Sequence, residues 1–107
     1  MKPIPYGMTF EQALRAGYVG RIEDEKYLAY VRKLPCCCCG KPGEVAHHPI
    51  QIGFGGKSTK APDYWAMPMT ADCHNRLHFD IHMWELEHGP QIKHAMLTMT
   101  RYMLEEK

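Results

Sequence analysis

The chain has 107 residues, of which 45% are apolar, and its formal net charge at pH 7 is +1. This length and apolar content predict one domain, residues 1–107, with a small core. The chain lacks the strongly basic composition that is typical of many nucleic-acid-binding proteins. A local basic patch could still contact phosphate. The opening residues lack the apolar core of a secretory signal, and no apolar run is long enough to span a membrane. We therefore expect a cytoplasmic protein with no membrane partner.

The first third of the chain predicts an arm followed by a helix. Residues 1–21 contain several prolines and glycines and are expected to form a loosely attached N-terminal arm. Within it, Thr9 and Gln12 have the spacing of a capping box, which predicts a short helix that ends at Gly17. Residues 22–34 are predicted to form a second helix, because acidic residues open the segment, basic residues close it and apolar residues recur on one face.

The central segment, residues 35–79, is expected to form the core of the domain. Two short strands are predicted at residues 44–48 and 64–69. The loop between them is rich in glycine, and a loop of that length without a periodic pattern is typically functional or disordered. From Thr70 the apolar spacing becomes helical, and Thr70 is a suitable N-cap for that helix.

The C-terminal segment, residues 80–107, is predicted to form two helices, at residues 80–88 and 90–106. Gly89 and Pro90 are a typical end of one helix and start of the next. Short strands flanked by helices predict an α+β fold. The apolar side chains of the last helix are expected to face the core, by helical spacing. They are Ile92, Ala95, Met96, Met99, Met103 and Leu104.

The five cysteines are interpreted as metal ligands and not as disulfides, because they accompany histidines in a chain without an export signal. Cys36 and Cys39 have the Cys-x-x-Cys spacing of a zinc knuckle. Cys73 is the natural third ligand, and the position where a second such pair would begin is Thr70. We therefore predict a structural zinc site on Cys36, Cys39 and Cys73 that lacks a fourth cysteine at the usual place. The fourth ligand could be Cys37, Cys38, a histidine or water, or the site could be empty.

Four histidines flank the Gly-rich loop. His47 and His48 are adjacent in a predicted strand and so point to opposite faces, which lets one hold a metal while the other addresses a different group. His74 and His78 are four residues apart on a helix, a spacing that lets both bind one ion. The alternative, imidazoles that are merely packed or solvated, accounts less well for four of them around one loop. The remaining three are interpreted as surface residues: His82, His88 and His94.

The order of these motifs resembles the ββα-metal, or HNH, endonuclease motif. The order is Cys-x-x-Cys-Gly, His-His-Pro, a Gly-rich loop, a strand and Cys-His-x-x-x-His, and the match covers residues 36–78. The preceding Leu-Pro-Cys and the stretch from Trp84 to Gln91 resemble the small phage and prophage branch. That branch includes the recombination-enhancement nuclease that works with RecA filaments. The resemblance implies a small ββα-metal finger with flanking helices.

The resemblance also implies roles for single residues. His48 matches the general base that deprotonates the attacking water, and His47 matches the first metal ligand. His74 and His78 match the metal-binding histidines of the helix. The middle Asn of the family has no clear counterpart here, although Asp63 lies near its place. The ion at such a site would be Mg²⁺, Mn²⁺, Ni²⁺ or Zn²⁺.

The function that these roles imply is a metal-dependent DNA endonuclease that hydrolyses phosphodiester bonds, in phage or prophage DNA recombination within a bacterial host cell. Lys57, Lys60 and Arg76 would lie near the groove and could hold phosphates, or could be solvated surface. A host recombination protein such as RecA is an expected partner. The alternative is a non-catalytic zinc-binding module that binds nucleic acid or a host recombination protein.

Overall fold

The computed structural model describes residues 3–20, 22–51 and 61–105. In this part of the chain, helices surround a small antiparallel sheet, which confirms the α+β class. A 3₁₀ turn at Asp63–Trp65 precedes the second strand. In chain order the elements are α1 (Phe10–Arg15), α2 (Glu25–Arg32), β1 (Val45–His47), β2 (Met67–Met69), α3 (Ala71–Phe79), α4 (Ile81–His88) and α5 (Gln91–Glu105).

The first two helices begin at side chains that cap them. The Thr9 hydroxyl accepts from the backbone N–H of Gln12, and the Gln12 side chain accepts from the backbone N–H of Thr9. The predicted capping box is therefore confirmed. At α2 the Asp24 carboxylate accepts from the backbone N–H of Tyr27. Because this cap fixes the first turn, α2 starts later than the predicted range of residues 22–34.

The sheet consists of β1 and β2 alone among the described residues, in antiparallel register. The prediction that residues 64–69 form one strand is wrong for its first half. Ala66 donates its backbone N–H to the carbonyl of Asp63, so this stretch closes a 3₁₀ turn on itself instead of pairing with β1. Pro68 is tolerated in β2, because a two-stranded sheet consists of edges. The paired residues are Val45 with Met69, Ala46 with Pro68 and His47 with Met67.

The cysteine turn, residues 36–40, lies between α2 and β1 and is closed at its base. Pro35 and Pro42 form an isolated antiparallel bridge across it. Gly40 lies in the turn with a φ of +74°, a conformation that favours glycine. Gly43 passes so close to the backbone that a Cβ there would lie 2.4 Å from the carbonyl oxygen of Leu34. The turn therefore holds its cysteines on a tight, backbone-packed loop.

Two clusters of buried hydrophobic side chains lie in the described part of the chain. One is aromatic: Tyr27 packs edge-on against Tyr102, with ring centroids 4.8 Å apart, and against Tyr64 at 4.9 Å. The other joins the cysteine turn, β2, α3 and α4 through its buried members. These are Cys36, Met67, Met69, Cys73, Leu77 and Trp84.

The last two helices begin and end where the sequence predicts. Asp80 caps α4 by accepting from the backbone N–H of Met83, and Gly89 ends it. The longest described helix, α5, has 15 residues. In the part of the chain that is described, no helix is long and apolar enough to cross a membrane.

The face of α5 that meets the core differs in part from the predicted one, although Ala95 is buried as predicted. Met96, Met103 and Leu104 are 57%, 63% and 64% exposed, so the prediction that they are buried is wrong. Of the predicted core methionines Met96, Met99 and Met103, Met99 packs against the aromatic cluster. The helix packs close to β2 and the 3₁₀ turn, and a close approach favours small side chains. Its buried residues are Gln91, Ala95 and Thr98.

Candidate metal centre

Three of the predicted metal ligands come together. His47 on β1 and His74 and His78 on α3 each offer one ring nitrogen, and these nitrogens lie within 4.8 Å of one another. The Nε2 atoms of His74 and His78 are 3.1 Å apart. Two nitrogens bound to one tetrahedral zinc ion, at about 2.0–2.1 Å each, lie about 3.4 Å apart. The group could therefore hold a metal ion such as zinc.

Local sequence explains why these elements meet. Thr70 accepts from the backbone N–H of Cys73 and so starts α3 directly after β2. Strand β2 in turn pairs with β1, which brings His47 beside Met67. Because α3 begins at a fixed point, its His-x-x-x-His face is turned toward β1.

Two histidines of this group have lowered pKa values. His47 is 2% exposed, and burial lowers its pKa to about 4, with the nearby His74 and His78 acting in the same direction. Burial also lowers the pKa of His74, and His78 adds to the effect. Neutral imidazole is the form that binds a metal ion.

Gln91 is a site residue that sequence reasoning missed. Its side chain is fully buried, and its Oε1 lies 2.9 Å from Nε2 of His47. The same oxygen accepts from the backbone N–H of Ile50 at 3.1 Å, while the amide nitrogen donates to the Ile50 carbonyl at 2.8 Å. Spacing could have signalled it, since Gln91 lies on the same helical face as Ala95 and Thr98.

His48 contacts a different group, as its position beside His47 predicts. Its Nε2 lies 2.8 Å from Oδ1 of Asp63, and Oδ2 of Asp63 accepts from the backbone N–H of Asp24 at 2.7 Å. Burial raises the pKa of the Asp63 carboxyl, but the hydrogen bonds from His48 and Asp24 outweigh it, so the pKa lies below its usual value. An ionised carboxylate only accepts hydrogen bonds. The neutral form of His48 that fits this contact carries its proton on Nε2 and has a free electron pair on Nδ1.

The three predicted thiolate ligands also come together. The sulfurs of Cys36, Cys39 and Cys73 lie within 4.8 Å of one another. The Thr70 hydroxyl oxygen lies 3.9 Å from the sulfur of Cys36 and 3.8 Å from that of Cys39. Sulfurs bound to one zinc ion at about 2.3 Å lie about 3.8 Å apart. The Thr70 hydroxyl thus lies about where a fourth sulfur would be.

The cysteines of the turn differ in acidity, and all five in the chain are free. Burial raises the pKa of Cys36, but hydrogen bonds from the backbone N–H groups of Cys38, Cys39 and Thr70 outweigh it and lower the pKa to about 6. Burial raises the pKa of Cys37 to about 12 and also raises that of Cys38. Cys36 is therefore the thiol most ready to bind a metal. Cys38 remains a candidate fourth ligand, because its sulfur is 3.5 Å from that of Cys36.

Of the predicted phosphate-binding residues, only Arg76 lies in the described part of the chain, and it belongs to neither ligand group. Lys57 and Lys60 lie outside the described residues. Arg76 is exposed and two positions from each metal-site histidine of α3, so it projects from another side of the helix. It lines a groove of about 590 Å³, together with Phe79 and Trp84. Phosphate binding by these residues stays a prediction.

The other three histidines differ in their exposure to solvent. His82 is exposed, as predicted. His88 and His94 are only half-exposed, because both rings pack against Trp84, at centroid distances of 5.0 and 5.5 Å. Nε2 of His94 lies 2.6 Å from the carbonyl oxygen of His88. These two histidines thus stabilise the junction of α4 and α5.

Comparison with known proteins gives a family and one relative. No solved structure matches the chain. The uncharacterized protein YdfU of Escherichia coli (strain K12) is 42% identical over 69 residues, which are 64% of this chain and 20% of that protein. The chain therefore matches only a fifth of the length of this relative. A family model described as "Protein of unknown function (DUF968)" matches residues 11–104, and the chain thus belongs to the DUF968 family.

Proposed function

We propose that this chain is a metal-dependent DNA endonuclease of HNH type, which hydrolyses phosphodiester bonds. The observation that carries the proposal is the pair of adjacent histidines with separate tasks. His47 joins a three-histidine group, while His48 is held by Asp63. A general base and a metal ligand on neighbouring residues can act on the same phosphodiester group.

The histidine group suits a divalent ion. His47, His74 and His78 would hold it, and imidazole ligands favour Zn²⁺ or Ni²⁺ over Mg²⁺. When bound, such an ion supplies charge neutralisation at the phosphate and at the leaving oxygen. Imidazole ligands carry no negative charge, so they would leave the positive charge of a bound ion uncompensated. That charge would attract an anionic phosphate.

His48 would accept the proton of the attacking water. Its Nδ1 has the free electron pair, because Nε2–H donates to the Asp63 carboxylate. Asp63 would hold the ring in this tautomer and stabilise the imidazolium that forms. Asp24 supports Asp63 through its backbone N–H, so the carboxylate is anchored at both oxygens.

The substrate class and context rest on the sequence resemblance. We assign the activity to phage or prophage DNA recombination, with a host recombination protein such as RecA as a partner. Lys57, Lys60 and Arg76 would contact the DNA backbone. The sequence shows no base-reading helix and no basic stripe, which favours weak sequence specificity.

A nicking assay tests the proposal. Supercoiled plasmid and single-stranded DNA are incubated with the protein and Mg²⁺, Mn²⁺, Zn²⁺ or Ni²⁺. We expect divalent-dependent nicking that His48→Ala abolishes without loss of fold or bound metal, while exposed His82→Ala retains it. Full nicking by His48→Ala would show that His48 is not the general base. No nicking by the unmodified protein with any of the metals would contradict the proposed endonuclease function.

The second candidate is a non-catalytic zinc-binding module that docks nucleic acid or a host recombination protein. The thiolate group favours it, since Cys36, Cys39 and Cys73 converge and Cys36 is acidic. Metal analysis separates the two functions. One tightly held zinc ion together with DNA binding, but without divalent-dependent nicking, would support the module.

A further inference from the structure

We infer that Gln91 is a positioning residue that fixes the tautomer of His47, so that Nδ1 of His47 is the atom that binds the metal ion. The inference rests on the histidine metal site of the proposed function. Gln91 is the first residue of α5 and is fully buried, 44 residues from His47 in the chain. No charged side chain is needed for this role, because the amide acts through its orientation.

The orientation of the Gln91 amide is determined by the backbone of Ile50. Oε1 accepts from the Ile50 N–H at 3.1 Å, and the amide nitrogen donates to the Ile50 carbonyl at 2.8 Å. The flipped amide would place donor against donor and acceptor against acceptor. The oxygen, and not the nitrogen, therefore faces His47.

This orientation decides where the His47 proton lies. Nε2 of His47 is 2.9 Å from Oε1, which can only accept a hydrogen bond. Nε2 must therefore carry the hydrogen. A neutral imidazole has one N–H, so the free electron pair lies on Nδ1. Ligating histidines commonly donate their other N–H to an oxygen acceptor, which raises their basicity and fixes the ring.

The metal site therefore takes different nitrogens from its two elements. His74 and His78 approach each other through Nε2, whereas His47 offers Nδ1. Gln91 also donates its backbone N–H to the carboxylate of Glu85 at 2.9 Å, which ties α5 to α4. The C-terminal helix, which lies outside the motif at residues 36–78, is thus part of the support of the site.

Nuclear magnetic resonance of histidine nitrogens tests the inference directly. In metal-free protein labelled with ¹⁵N at histidine, we expect the His47 ring to be protonated at Nε2 and unprotonated at Nδ1. After addition of ¹¹³Cd²⁺, the ¹¹³Cd–¹⁵N coupling of His47 should appear at Nδ1. Protonation at Nδ1, or coupling at Nε2, would overturn the inference.

Two variants separate positioning from general stability. Gln91→Glu keeps an acceptor opposite His47 and loses the donation to Ile50, whereas Gln91→Met keeps the volume and has no strong acceptor. Both should lower the melting temperature, because both disturb Ile50. Only Gln91→Met should give mixed His47 tautomers and weaken Cd²⁺ binding at the histidine site, by about 10–100-fold. A purely structural role would leave the His47 tautomer unchanged in the folded Gln91→Met protein, and that result would also overturn the inference.

These measurements do not depend on DNA cleavage. If Cd²⁺ binds through Nδ1 and the unmodified protein does not nick DNA with any metal, the inference stands and the proposed function fails. If DNA is nicked and Cd²⁺ couples to Nε2, the proposed function stands and the inference fails.

Discussion

Asp63 lies 2.8 Å from Nε2 of His48, although 15 residues separate them in the chain. The two side chains are 14% and 19% exposed, so solvent competes little for this hydrogen bond. Asp63 occupies the start of the 3₁₀ turn before β2. Its carboxylate therefore contacts the candidate base from a fixed position directly before the second strand.

Asp63→Asn should lower the nicking rate by about 10²-fold or more while the protein stays folded. The amide oxygen would accept from the Asp24 backbone N–H, which leaves the amide nitrogen facing His48. Nε2 of His48 would then have to accept, and the proton would move to Nδ1. The measurement is single-turnover nicking with circular dichroism as the check on folding.

Asp72→Asn is a matched control for that variant, because Asp72 is an exposed carboxylate in the first turn of α3. It should nick at the unmodified rate. If Asp63→Asn nicks as fast as this control, Asp63 has no part in orienting the base.

Thr70→Cys should complete the thiolate site and tighten zinc binding by at least about tenfold, or about 1.4 kcal/mol. The reason is that the Thr70 hydroxyl lies 3.8–3.9 Å from two of the sulfurs, about the spacing of sulfurs on one zinc ion. Competition with a chromophoric chelator measures the affinity, and cobalt substitution reports the number of thiolates. Thr100→Cys adds an exposed thiol on α5 and should change neither. Equal zinc affinity in the two variants would exclude Thr70 as the fourth position.

Stability without added metal should fall as pH drops from about 6.5 to about 4. The folded state takes up a proton on His47 only near pH 4, whereas the unfolded chain does so near 6.5. The unfolded state therefore binds more protons in this window, so the stabilisation is complete above pH 6.5 and is lost toward pH 4. The full loss is roughly 3 kcal/mol at 1.36 kcal/mol per pKa unit.

Urea unfolding at several pH values measures the slope of the free energy of unfolding against pH. His47→Asn, which keeps a donor near Gln91 but does not titrate, should flatten it. The pKa of His74 is also lowered from 6.5 by burial, so a residual slope is expected in that variant. An unchanged slope in His47→Asn would show that the titration of His47 does not set it.

Tyr27→Phe should raise the free energy of unfolding by about 1 kcal/mol. The Tyr27 hydroxyl is buried and has no hydrogen-bond partner among the described residues, while its ring stacks within the aromatic cluster. Tyr64→Phe is the matched variant, because the Tyr64 hydroxyl donates to the Asp24 carboxylate. It should lower stability. Chemical unfolding of both proteins measures the difference, and a loss of stability in Tyr27→Phe would indicate an unseen partner for its hydroxyl.

The sequence by itself determined the features that depend on neighbouring residues. Thr9, Thr70 and Gly89 mark helix starts and an end correctly, because capping acts within one turn. The histidines of α3 share a face because their spacing matches the helical period. The cysteine turn also depends on residues that are close in the chain. Pairing of the two short strands then brings the ligands of both groups together.

The tertiary structure alone decided which partners these groups meet. Gln91 reaches His47 across 44 residues, and the helical spacing that places Gln91 on the face of Ala95 and Thr98 does not identify His47 as its partner. The same close packing that buries Gln91 rotates α5 away from the predicted methionine face, which leaves Met96 and Met103 exposed. A helical pattern gives the spacing of side chains, but the rotation of the helix depends on the elements that it packs against. The hydrogen-bond partners of His47 and His48 were therefore decided by packing between distant segments.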